Sequence, residues 1–447
     1  MTMVALCFAN GLQGGASQAF AQTTDAIKHT FHVNDAAIGV VPFGVSIAGN
    51  LGAVPVAALC ARHKRTAILA GMFFLWGIFI ALAGVAPVFS VFGVAAAGFV
   101  VFTLFRVVSA ALEATDPATL PLIADWWPVE ARARRVSIFN TFAGLGTFAG
   151  LVAAGIMVDT VGWRWTFIVW LPLAWIGTML IRSRTEPPRG GQDAAYGERL
   201  EALAGDERAL VTEIVEHPVA EDIIPVVPNR WSVVREIARL RSWRYVAIGL
   251  AVSGIMGNAM MNWGLTYFKR TFNLNGTQAA ELAPILGVGA FLGLLGGGFL
   301  ADKLLQRGML RARMYVAGFG YVGSGVFYVL AFTTTRLLIA APLLLVASAL
   351  QTLPLGPQFA MMMDVTPSHL RSQASAALNV LQATGALGPL LVGGLSTLFG
   401  ENLRLALLCV APTSVAGGLI VLAARHTFVE DVALVVAEAK VQRQLDG

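Results

Sequence analysis

TAILAGMFFLWGIFIALAGVA, residues 66–86, contains no Asp, Glu, Lys, Arg or His, and the tetrad Arg62-His63-Lys64-Arg65 stands directly before it. A run of about 20 apolar residues is the length a helix needs to cross the hydrocarbon of a bilayer. Backbone groups there have no water to pair with, so such a run folds as a helix, and it lacks the period-two alternation of a membrane barrel.

The pattern recurs along the chain. Apolar spans are expected at 3–22, 36–59, 66–86, 92–121, 138–159 and 164–182, and again at 243–268, 280–301, 313–333, 336–362, 373–397 and 403–424. With 56% hydrophobic and 13% charged residues and a mean hydropathy of +0.70, the 447-residue chain lies outside the soluble range. The expected fold class is an all-α membrane protein with twelve transmembrane helices in two six-helix bundles. Residues 1–182 form the N-terminal bundle, 183–242 a cytoplasmic linker, 243–424 the C-terminal bundle and 425–447 a cytoplasmic tail.

Charge sets the orientation. Besides the tetrad at 62–65, Arg132, Arg134 and Arg135 fall between spans 4 and 5. Lys303, Arg307, Arg311 and Arg313 fall between spans 8 and 9, and His369 and Arg371 between 10 and 11. All are even-to-odd loops, so that side is expected to be the cytoplasm, with both termini and the linker on it. The net charge of +5 is explained by these loops and needs no nucleic-acid partner. Lys28, Lys269 and Arg270 oppose this only slightly. Cys7, Cys60 and Cys409 are isolated, with no metal-ligand or disulfide spacing, and read as small packing residues. The linker opens acidic and weakly helical, is broken by Pro225 and Pro228, and ends in NRWSVVREIARLRSW. There Trp231, Val234 and Ile237 share one side of an interfacial helix, and the whole reads as a tether between bundles.

An internal repeat is visible in the loop after span 8, GGGFLADKLLQRG, where Gly298, Asp302 and Lys303 have the form G-x-x-x-D-K. The loop after span 2 keeps the basic cluster but has Cys60 where the acid would be. Six plus six spans with a basic loop in the same place in each half resembles the major facilitator superfamily. That resemblance implies a secondary transporter working by alternating access, with Gly298, Asp302 and Lys303 as gating residues. Three stretches resemble the spinster-like lipid transporters: Arg106 and Glu113 followed by IADWWP, EPPRG at 186–190, and ALGPLLVGGLSTLFG in span 11. The first also resembles the organic anion:cation symporters. Both groups usually carry a charged residue in span 1, and this chain has none between Met1 and Thr24.

Charge inside the apolar runs marks the candidate site. Arg106, Glu113 and Asp116 fall within span 4, and on one continuous helix they would share a face. Ionisable groups avoid lipid by pointing into the protein interior, so the trio is expected to act as an ion-pair switch or proton site, with Glu113 the proton carrier. Substrate-binding candidates are Asn10, Gln13, Ser17 and Gln18 in span 1, and Asn258, Asn262 and Met261 in span 7. Glycines crowd span 5 (Gly144, Gly146, Gly150, Gly155) and span 11 (Gly385, Gly388, Gly393, Gly394), as suits closely packed helices.

No catalytic or metal-binding set is apparent: the six histidines are scattered, and no phosphate-binding Gly loop is present. The chain is therefore expected to be a transporter rather than an enzyme or channel. It should need no cofactor beyond a coupling proton and reside in the plasma or inner membrane as a monomer among membrane lipids. Its expected substrate is a lysophospholipid or sphingoid-like lipid, because Glu113 and Asp116 would neutralise Arg106, taken as the one deep cation. The alternative is a proton-coupled symporter of sugar acids or aromatic carboxylates.

Overall fold

A computed structural model describes residues 2–17, 19–33, 35–88, 97–200, 236–274, 276–400 and 402–446. The described residues are helical throughout, joined by short turns. They divide into two compact units. One comprises Met1–Leu122, Ile138–Pro187 and Ser375–Asn379, the other Ile123–Ser137, Pro188–Ala374 and Val380–Gly447.

The first unit contains α1 (Thr2–Ser17), α2 (Ala19–Phe31), α3 (Asp35–Arg62), α4 (Arg65–Gly84), α5 (Ala97–Glu113), the start of α6 (Asp116–Trp126), most of α7 (Arg132–Thr160), α8 (Trp165–Ile168) and α9 (Trp170–Arg182). The opening stretch becomes α4, and its buried face carries Phe73, Trp76, Gly77 and Ile80. Glycines set how closely α1 and α7 approach. A Cβ on Gly146 would come to 1.8 Å from the Gly11 carbonyl oxygen, and one on Gly150 to 2.2 Å from that of Gly15. Only glycine permits that contact.

The second unit continues with α10 (Gly191–Leu200), α11 (Arg241–Phe272), α12 (Gly276–Gln306), α13 (Ala312–Thr333), α14 (Leu337–Thr352), α15 (Leu355–Asp364), the two ends of α16 (Arg371–Gln382), α17 (Leu387–Leu398), α18 (Leu403–Val410), α19 (Pro412–Ala423) and α20 (Phe428–Asp446). Its core packs Met256, Tyr267, Phe268, Tyr328, Phe332 and Leu407. Eleven helical stretches among the described residues are long and apolar enough to cross a membrane, and they match the expected spans 2–12. The expected first span lies over α1 and α2, on either side of residue 18.

One expectation is corrected and two are extended. Span 4 is not one continuous helix, because α5 ends at Glu113 and α6 begins at Asp116. Pro117 supplies no N–H to continue the hydrogen-bond ladder of α5, so the helix restarts with Pro117 in its first turn, where the missing donor costs nothing. The linker is not only a tether: its first portion is α10, packed in the second unit with Tyr196 buried. The tail is a docked helix, α20, whose Val429, Ala433 and Val436 join Tyr196, Leu305 and Ala312 in an apolar cluster. The interfacial helix expected at the linker's end lies mostly outside the described residues, which resume at Glu236.

Candidate functional site

The break in span 4 separates the three ionisable groups. Arg106, on α5, is 3% exposed; its Nη1 donates to Ser109 Oγ at a long 3.4 Å, and its Nε has no hydrogen-bond partner among the described residues. Its guanidinium lies 5.6 Å from the centre of the Phe167 ring, a cation–π contact. Phe167 in turn packs edge-on against Phe102 and Trp163. Glu113 is within Coulombic reach of Arg106 but takes its hydrogen bond elsewhere: the buried Trp76 indole Nε1–H donates to Glu113 Oε1 at 2.8 Å. Asp116 turns away to the Asn379 side chain, which hydrogen-bonds it. Asp116 thus leaves the face expected for the trio, while Arg106 and Glu113 stay within Coulombic reach of one another.

Of the span 1 candidates, Asn10 Nδ2 donates to the Phe139 carbonyl at 2.8 Å, tying α1 to α7. Gln13 is buried, with Nε2 unpartnered among the described residues, as are Asn140 Nδ2 and Thr141 Oγ1 on α7. Ser17 is exposed and donates to the Gly14 carbonyl at 2.6 Å, while Gln18 lies outside the described residues. In α11, Asn258 and Asn262 are exposed and donate to the carbonyls of Gly254 (3.0 Å) and Asn258 (2.9 Å), and Met261 is 82% exposed. The structure brings Arg106, Glu113 and Trp76 together and ties Asn10 to α7. The span 7 candidates belong to the second unit.

The second unit holds a larger charged assembly. Asp302, Arg313, Asp364, Arg132, Asp193, Arg371 and Asp125 form a chain of alternating sign, each acid and base paired with the next. Distances are 3.1 Å for Arg313–Asp302, 2.9 Å for Arg132–Asp364, 2.7 Å for Arg132–Asp193, 2.6 Å for Arg371–Asp193 and 2.9 Å for Arg371–Asp125. Arg313 also binds Asp364 and donates to the Val129 carbonyl. Every member is buried. Such charges are tolerated when they are paired and hydrogen-bonded; Arg313 Nε has no partner among the described residues, but both ends of the chain are closed by backbone donors. Asp302 accepts from the Arg134 backbone N–H at 2.7 Å and Asp125 from that of Gly190 at 3.1 Å.

Burial alone would push the Asp193 carboxyl up, yet Arg132 and Arg371 hold it below the usual carboxylate range. Arg132, Arg313 and Arg371 were expected as loop charges, and Arg106 as the one deep cation. Both readings are corrected, because ion-pairing lets these side chains enter the interior. Of the expected gating residues, Asp302 is in this chain and Lys303 is exposed. Gly298 packs so tightly that a Cβ would meet Ser137 Oγ at 2.4 Å and the Ala133 carbonyl oxygen at 2.6 Å.

A sequence signal for this chain existed. Asp125-Trp-Trp-Pro128 leading to Arg132 and Asp364-Val-Thr-Pro367 leading to Arg371 share the form D-x-x-P-x-x-x-R. Each arginine folds back to the carbonyl just before its own aspartate, Arg132 Nη2 to Ala124 at 2.7 Å and Arg371 Nε to Met363 at 3.1 Å, and then pairs with the aspartate of the other copy.

In the first unit, the EPPRG stretch is anchored by its acid. Glu186 accepts from Arg65 Nε at 2.8 Å and from Thr66 N and Oγ1 at 3.0 and 2.9 Å, capping α4. Burial opposes the charge, but the Thr66 N–H and Arg65 hold this carboxyl below its ordinary range.

An MFS-type efflux pump of Mycolicibacterium smegmatis is 25% identical over 405 residues, 88% of this chain and 85% of that one. A probable galactarate/D-glucarate transporter of Escherichia coli is 24% identical over 281 residues, and the chain spans 60% of its length. Among solved structures, the Escherichia coli fucose:proton symporter overlays with a TM-score of 0.70 at 14% identity, covering 94% of this chain and 97% of that one. At that identity the likeness shows the fold alone. The family profile described as Major Facilitator Superfamily matches residues 6–389. The chain is a multi-pass membrane protein and belongs to the Major Facilitator Superfamily of transporters.

Proposed function

We propose that the protein is a secondary transporter of a small hydroxylated organic anion, moved by alternating access and coupled to a proton carried by Glu113. One observation carries the reading: Arg106 is buried with most of its donors unused among the described residues, while Glu113 is hydrogen-bonded to Trp76 and Asp116 to Asn379. A desolvated guanidinium of this kind favours an anion, which would supply the missing acceptors and, once Glu113 is protonated, the counter-charge. The unpartnered amides and hydroxyl of Gln13, Asn140 and Thr141 suit the hydroxyls of a sugar acid. The probable galactarate/D-glucarate and L-galactonate transporters among the relatives support the same substrate class.

Glu113 is within reach of Arg106, so protonation of one and anion binding at the other are coupled by charge. We place the protein in the plasma or inner membrane with both termini cytoplasmic, on the strength of the basic even-to-odd loops.

The test is uptake into proteoliposomes, with and without an inward proton gradient, of a sugar acid, an aromatic carboxylate and a lysophospholipid. A gradient-driven, saturable sugar-acid flux is expected, with Glu113→Gln abolishing gradient-driven uptake but retaining exchange. Saturable transport of the lysophospholipid alone would return the protein to the ligand class its spinster-like stretches imply.

A further inference from the structure

The tail helix α20 does more than fill space. Its underside, Val429, Val432 and Val436, lies against the rest of the second unit, and a cavity of about 20 Å³, room for about one water, is lined by these valines and by Arg132, Asp193 and Arg313. The helix therefore stands between the alternating Asp/Arg chain and solvent. Polar contacts fix its start. Asp431 Oδ2 accepts from the Ser242 backbone N–H at 2.8 Å, capping the first turn of α11, and Thr427 Oγ1 lies 2.8 Å from Ser242 Oγ.

Further along, a side chain from another element reaches it. His369, in the turn before α16, has Nδ1 3.0 Å from Glu438 on α20 and Nε2 3.6 Å from Glu236 in the helical turn before α11. An imidazole can offer a proton to both carboxylates only in its doubly protonated form.

We propose that α20 is a pH-responsive cover over the Asp/Arg chain, fastened by protonated His369 between Glu236 and Glu438 and loosened when that ring loses a proton. Glu438 comes from α20 and Glu236 from the turn before α11, and these are the charged partners the ring faces among the described residues. Arg371, two residues on, is taken up by Asp125 and Asp193, and Asp431 by Ser242. Burial lowers the affinity of the ring for its proton, but the two carboxylates outweigh it and hold His369 above the ordinary imidazole range. A group raised in this way contributes its full stabilisation at acid pH, and that contribution is lost as pH rises through the raised value. The cover is therefore tight in mild acid and looser in mild alkali.

All three side chains are partly exposed, at 42%, 36% and 28% for His369, Glu236 and Glu438. Solvent-screened pairs of this kind make the effect modest, about three- to tenfold in the open population. Hydrogen–deuterium exchange on the full-length protein in detergent reads it directly, with rates corrected for intrinsic pH dependence. Protection of 428–446 should fall about three- to tenfold between about pH 6 and about pH 8.5, on either side of the ordinary imidazole range. His369→Gln should show the low protection at both pH values, and His369→Arg, a permanent cation, should remove the pH response. Val436→Asp should strip protection at every pH and so show that release is visible. Wild-type protection that does not change with pH, or His369→Gln that matches the wild type at acid pH, would overturn the proposal.

Discussion

Replacing Asp193 with asparagine keeps the shape of the side chain and removes the charge that joins two arms of the Asp/Arg chain. In the wild type, its two oxygens accept from Arg132 at 2.7 Å and Arg371 at 2.6 Å, in a site 3% exposed. An amide has one acceptor oxygen, so one of these bonds is lost and its NH₂ group then faces an arginine N–H. The other becomes a bond to a neutral acceptor. Hydrogen bonds to charged groups contribute about 1.5–3 kcal/mol against about 0.5–1.5 for neutral ones. The expected loss is therefore about 3–4 kcal/mol, close to the lower end for breaking a buried ion pair. It is not larger because each arginine keeps other partners, Asp364 and the Ala124 carbonyl for Arg132, Asp125 and the Met363 carbonyl for Arg371.

For a chain of this length such a loss lowers the thermal midpoint by about 3–6 °C, measured by intrinsic fluorescence of the detergent-solubilised protein. The pH dependence has a definite sign. Asp193 is held below its unfolded value, so its contribution is present above the ordinary carboxylate range and disappears as pH falls through the folded value. The gap between wild type and Asp193→Asn should therefore be flat between about pH 5 and 8. A double variant adding Arg371→Gln should lose less than the sum of the singles. A midpoint within about 1 °C of wild type, or strictly additive losses, would refute the claim that this link carries stability.

Other substitutions test separate parts of the structure. Trp76→Phe keeps the ring that stacks on Phe73 but removes the indole N–H on Glu113; the pH profile of transport should move while substrate affinity at saturating proton stays close to wild type. Asp302→Asn should weaken the end of the Asp/Arg chain at Arg313 and broaden electron-resonance distance distributions between labelled helix ends; identical distributions would count against a gating role. Gly146→Ala should cost several kcal/mol or prevent folding because its Cβ would fall on the Gly11 carbonyl. Gly144→Ala, where a Cβ meets nothing within 4 Å, should be neutral or gain up to about 1 kcal/mol of helix propensity. Relative expression and thermal midpoint of the two variants decide that comparison.

The spans were legible because length and hydropathy are properties of contiguous sequence, and the bilayer imposes the same requirement on each. The break after Glu113 was also written locally, in Pro117, but helical spacing across it placed Asp116 on the face of Arg106, and that reading failed. Partners distant in sequence were not legible: nothing near Glu113 points to Trp76, and nothing in an acidic linker singles out Asp193. The pairing of Arg132 with Asp364 spans 232 residues. Its only trace is the twofold D-x-x-P-x-x-x-R pattern, which looks like two basic loops until the aspartates are read with the arginines.

The meeting of α1 and α7 through bare backbone has a mechanical consequence. Two helices separated by side chains can slip past one another as rotamers change. Where the Gly11 and Gly15 carbonyls rest against Gly146 and Gly150, no such layer exists to rearrange. The pair is expected to behave as a splint, with movement inside this unit falling where the backbone is already interrupted. Residues 114 and 115, between α5 and α6, are one such place, so the turn that separates two partly buried acids is also a joint about which they would move.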